Sequence, residues 1–113
     1  MDKQALLELA DKVQALEGPS REIDCRVWSA LDGLFDFDLL RKVVPDFNEW
    51  RALYYTLSID AAMALGDGLS EAQIWNIWNE ALTNCALAKA DTRRDLARYW
   101  TAAALRAKAG EIE

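Results

Sequence analysis

Apolar residues recur at helical spacing along most of this chain. Leu6, Leu9, Ala10, Val13 and Leu16 share one face of a first helix, which Asp2 can cap and Gly18-Pro19 ends. Ser20 is placed to cap a second helix, with Glu22 in its first turn and Ile23, Val27, Ala30 and Leu31 on a face that Trp28 widens, up to Gly33. Residues 34–44 are ambiguous: Phe35, Phe37 and Leu39 alternate as in a strand, whereas Leu39, Leu40 and Val43 suit a short helix, and Pro45 stops either one. From Asp46 onward, Phe47, Trp50, Tyr54, Leu57 and Ala61 again recur as in a helix, one broken near Ser58. Tyr54-Tyr55-Thr56 would also fit a short extended segment ahead of a Ser58-capped helix.

The sharpest local signal lies at residues 69–74. Ser70 and Gln73 have the spacing of a capping box, and Leu69 and Ile74 that of a hydrophobic staple. The helix that starts there carries Ile74, Ile77, Trp78, Ala81, Leu82 and Cys85 on one face. With no Gly or Pro between residues 69 and 109, a hairpin is disfavoured and one continuous helix is predicted from Leu69 to Ala90. Asp91 or Thr92 caps a last helix bearing Leu96, Trp100, Ala103 and Ala107, before Gly110. The pattern predicts a mainly α, compact multi-helix single domain over residues 1–113, without internal repeats.

Composition narrows the class. A chain of 113 residues can bury one core, and 52% hydrophobic with 28% charged residues describes a globular protein and not a disordered tail. The start, MDKQALLELADK, mixes an acid and a base where a signal peptide would be basic and then apolar. The longest uncharged run is eight residues, so no membrane span is expected and a cytoplasmic location is. Thirteen basic and nineteen acidic residues give a net charge of −6, which disfavours direct nucleic-acid binding. The charge is uneven: residues 1–85 hold seven basic and fifteen acidic side chains, residues 86–113 six and four.

Candidate chemistry is sparse. The chain has no histidine, and Cys25 and Cys85 lie far apart among apolar helical positions, so they read as buried thiols and neither as metal ligands nor as nucleophiles. No catalytic residue, cofactor or metal is expected. Asp36 and Asp38 flank Phe37, but the remainder of a hard-cation loop is missing, and a solvated acidic edge explains them more simply. Asp32, Asp36, Asp38, Asp46 and Glu49, five carboxylates within eighteen residues, can present an anionic patch to a basic protein surface; solubilising charge is the plainer explanation. Trp75 and Trp78 cannot both lie at the centre of the apolar stripe, so one is a candidate interface anchor, as is Trp50, although completing the core is the plainer reading of tryptophans in a small helical domain. Arg93, Arg94 and Arg98 interleave with Tyr99 and Trp100 in a way that can hold nucleic acid, but against the net charge they read as solvated arginines on an outer helix face.

Three segments, REIDCRVWSAL (21–31), YYTLSIDAAMAL (54–65) and WTAAALRAKA (100–109), together resemble small bacteriophage and prophage proteins of uncharacterised function. The resemblance covers about a third of the chain, and its motifs are moderately specific. It implies a phage-type context, with Tyr55-Thr56 closing a short strand and Ser58 opening a helix. An α+β sandwich with a small central antiparallel sheet is therefore the alternative to the helical fold. The functional expectation is an acidic, non-enzymatic accessory protein that binds a host protein with a basic surface and inhibits a defence or nucleic-acid-handling enzyme. Asp32, Asp36, Asp38, Asp46 and Glu49 would make the contacts, with Trp50 or Trp75 as anchor. The alternative is a homo-oligomeric assembly module whose tryptophan-bearing helices pack on copies of themselves.

Overall fold

The computed structural model describes residues 3–32, 37–50 and 52–111, apart from the side chain of Asp32. Within them lie six α-helices: α1 (Lys3–Ala15), α2 (Arg21–Asp32), α3 (Phe37–Val43), α4 (Ile59–Met63), α5 (Glu71–Leu87) and α6 (Thr92–Gly110). Short 3-10 turns occur at Phe47–Glu49 and Ala64–Gly66. No strand occurs among the described residues, so the sandwich alternative is not supported and the helical reading holds.

Helix α6 forms the axis of the molecule. Every residue from Ala97 to Leu105 is buried, a helix enclosed on all sides and not an amphipathic surface helix. Its small side chains Ala97, Ala102, Ala103, Ala104 and Ala109 let α1, α5 and α4 approach closely. Leu6, Leu9, Ala10 and Val13 of α1 and Ile77, Ala81 and Cys85 of α5 join Trp100 and Leu105 in the main core. A second, smaller cluster gathers Cys25, Trp50 and Ala52 with Trp28, Phe37, Leu40, Val44 and Phe47 beneath α2 and α3.

The helix ends follow the sequence signals. Ser70 and Gln73 close a full capping box: the Ser70 hydroxyl accepts from Gln73 N, and Ser70 N donates to the Gln73 side chain at 2.8 Å. Gly68, at φ 84, provides the left-handed turn that leads into this cap. Asp91 caps α6 through Arg93 N, and Ser58 caps α4 through Ala61 N. Helix α5 ends at Leu87, short of the predicted Ala90, in a Schellman-type turn. Lys89 takes φ 55, with Lys89 N donating to Ala86 O and Ala90 N to Cys85 O. The proposed Asp2 cap and Gly33 terminus lie outside the described residues.

Two central expectations are corrected. Residues 34–44 resolve in favour of a helix, α3, over their described part; Phe35 lies outside it. The helix expected from Asp46 onward, broken near Ser58, forms only after the break, as the Ser58-capped α4. Asp46 caps only one 3-10 turn, through Asn48 N, and Trp50 then turns extended at ψ 151. The Arg21 guanidinium takes over the carbonyls that would continue the helix, donating to Phe47 O at 3.2 Å, Trp50 O at 2.8 Å and Leu53 O at 3.3 Å. Residues 55–57 make a turn closed by Leu57 N and Ser58 N on Tyr54 O, in place of the short strand implied by the resemblance.

Candidate protein-binding face

Helix α5 packs one side on α6 and leaves the other open. Ile77, Ala81 and Cys85 are buried, whereas Ala72, Trp75, Asn79, Leu82 and Ala86 are all exposed and lie three and four residues apart in alternation. Trp75 is 63% exposed and Leu82 44%. Ile74 and Trp78 are half-buried beside them, and with Glu71 and Asn79 these side chains line an open groove of about 620 Å³. Trp78 meets Trp100 edge-on, with ring centroids 5.8 Å apart, which ties the groove floor to the axial helix. Glu80 is the sole charged residue from Ala72 to Ala88, and it turns to the α6 side, where it pairs with Arg106 at 3.4 Å. Arg106 also reaches Asp11 at 3.1 Å and Gln14 at 2.8 Å, clamping α1, α5 and α6 together. The outward face of α5 therefore carries a large aromatic side chain on an uncharged strip.

The residues proposed from sequence are distributed unequally. Asp36 lies outside the described residues, as does the side chain of Asp32. Asp38, Asp46 and Glu49 are exposed, but Arg41 and Lys42 are exposed among them, so this stretch is of mixed charge. Arg41 and Arg26 both pair with Glu22. Trp50 is only 6% exposed; its indole N–H donates to Val44 O at 2.9 Å and its ring packs on Phe37, Phe47 and Trp28. Trp50 is thus a core residue, and Trp75 is the exposed tryptophan. Leu82, placed with the inward stripe by its spacing, instead belongs to the open face. Ala72, Asn79 and Ala86 carry no sequence signal of their own, but two eight-residue uncharged runs, 72–79 and 81–88, mark this helix.

The buried carboxylates Asp24 and Asp95 are committed to structure. Asp24 is 2% exposed, and its Oδ1 accepts from Thr56 N and the Thr56 hydroxyl, both at 2.8 Å; burial nonetheless raises its pKa. Arg98 is buried, not solvated on an outer face, and pairs with buried Asp95, to which exposed Arg94 also donates. Arg94 holds Asp95 down to about pKa 2, against the opposing effect of burial. Both thiols are buried: desolvation pushes Cys25 up to about 11 and raises Cys85. Among the described residues, no three His, Cys, Asp or Glu side chains come together as a metal-binding group, and no helix is long and apolar enough to cross a membrane.

In comparisons with protein-family models, curated proteins and solved structures, nothing matches the chain.

Proposed function

We propose that this protein is a non-enzymatic binding module that engages another protein chain through the outward face of α5. The observation that carries this reading is the 63% exposure of Trp75 on an uncharged helical face, next to an apolar groove. Aromatic side chains of this kind are typical interface anchors, because they bury a large area at low entropic cost. The non-enzymatic part is supported by the buried thiols with raised pKa and by the use of Asp24 and Asp95 in structural hydrogen bonds.

The narrower reading, an acidic surface that occupies a basic groove on a host enzyme, is supported by the exposure of Asp38, Asp46 and Glu49. Arg41 and Lys42 among them weaken the field such a surface would need. The phage-type context rests on the three sequence motifs. The α5 face is therefore the better-supported contact.

The test is site-specific photo-cross-linking of the full chain in cells, with benzoylphenylalanine in place of Trp75 and, as control, in place of exposed Lys12 on α1. A discrete protein adduct at position 75, missing at position 12, is the expected result. No adduct at 75, or the same adducts at both positions, overturns the reading.

A further inference from the structure

The geometry points to a second copy of this chain as the occupant of the α5 face, docked antiparallel; this inference rests on the binding reading above. Ala72, Trp75, Asn79, Leu82 and Ala86 repeat at intervals of three, four, three and four residues, the a/d seam of a two-helix coiled coil, and all five are exposed. The opposite side of the same helix is already taken by α6, so the seam is additional to what the fold requires.

Charge complementarity selects the partner and its direction. Glu71 stands at the start of α5 and Lys89 just past its end, both exposed, and the strip between them is uncharged. The two stand at opposite ends of the strip, and antiparallel helices bring opposite ends together. With Trp75 of one copy opposite Ala86 of the other, the largest side chain of the seam faces a small one, and Asn79 lies opposite Leu82. In that register each Glu71 lies across from Ala90, next to Lys89, so the two-fold axis generates two Glu71–Lys89 pairs. A parallel copy would instead bring the two acidic Glu71 ends together and the two Lys89 ends together. The antiparallel arrangement also opposes the helix dipoles, placing each Lys89 and carbonyl end beside the acidic amino end of its partner. The strip is self-complementary, as an isologous interface must be.

Sedimentation velocity over a dilution series of the 113-residue chain tests this inference. The wild type is expected to associate as a dimer, and Trp75→Ala to weaken the dimer by tenfold or more, roughly the effect of removing an interface anchor. Glu71→Lys and Lys89→Glu should each weaken it by roughly tenfold through two like-charge contacts, and an equimolar mixture of the two variants should restore it, since every pair is then complementary. Failure of the mixture to recover association overturns the antiparallel register. A wild type that stays monomeric at every concentration overturns the second-copy inference. The adduct at position 75 separates that failure from failure of the binding reading. An adduct of twice the chain mass supports the dimer, an adduct of any other mass leaves binding intact but not the dimer, and no adduct removes both.

Discussion

Thr56 is fastened to Asp24 twice, its backbone N–H and its hydroxyl both lying 2.8 Å from the same carboxylate oxygen. The Thr56 oxygen in turn accepts from Ser20 N at 2.8 Å, so one residue joins the start of α2 to the turn before α4. Replacing Thr56 by Val keeps the shape but strands the Ser20 N–H and removes one donor from a buried carboxylate. The expected cost is about 1–3 kcal/mol in urea-induced unfolding, with Thr56→Ser costing less than Thr56→Val. A Val variant as stable as the wild type would show that this junction does not hold the turn.

Stability should fall in acid through Asp95. The Arg94 side chain, with help from Asp91 N–H and Arg98, holds the folded pKa at about 2, below the ordinary 3.8. A depressed folded value means that the contribution is present above the unfolded pKa and is lost as the pH falls from 3.8 towards 2. Asp24 has the opposite sign, because its raised pKa makes protonation favour the folded state. The stability difference between wild type and Asp95→Asn should accordingly be constant near neutrality and shrink in this acid range, as followed by chemical denaturation at a series of pH values. A difference independent of pH across the range would contradict the assigned ion pair.

Helix ends were legible in the sequence; what happens between Pro45 and Ser58 was not. Ser70, Gln73 and Asp91 act on backbone groups within their own first turn, so spacing alone reveals them. The stretch from Asp46 to Ser58 has helical periodicity, yet its course is decided by Arg21, more than twenty residues away in sequence, and no local pattern carries that information. The same limit explains Trp50 and Leu82. Spacing identifies them as apolar, but whether each faces the core depends on which neighbours arrive. Arg98 reads as a surface arginine because α6 looks amphipathic, whereas it is enclosed by other helices and pairs with Asp95.

The two thiols should be inert while the protein is folded. Both are buried, and desolvation raises their pKa, to about 11 for Cys25. At mildly alkaline pH a thiol-specific chromogenic reagent should label native protein slowly, at a rate that rises with denaturant, and label both cysteines at once in concentrated urea. Immediate labelling of either one in the native state would indicate an accessible, activated thiol and would reopen nucleophilic chemistry for this chain.

The final prediction concerns Arg21, a cation in the first turn of α2, where the helix dipole disfavours it and Glu22 and Asp24 offset it. Its position makes sense through what it holds. The guanidinium donates to three carbonyls of the 47–53 segment, lies 3.6 Å from Asp24 and sits 4.2 Å from the centre of the Tyr54 ring. A lysine keeps the charge but lacks the planar fork, so it cannot serve these diverging acceptors at once. Arg21→Lys should therefore destabilise the fold by about 1–2 kcal/mol and Arg21→Ala by more, because the partly buried carbonyls of Phe47 and Trp50 lose their donors. The loss should be local first: chymotrypsin should cut near Leu53 and Tyr54 in Arg21→Lys under conditions where the wild type stays whole and α1, α5 and α6 stay folded by circular dichroism. Equal resistance of Arg21→Lys and wild type would mean that the segment holds its shape through the Phe47 and Trp50 ring contacts alone.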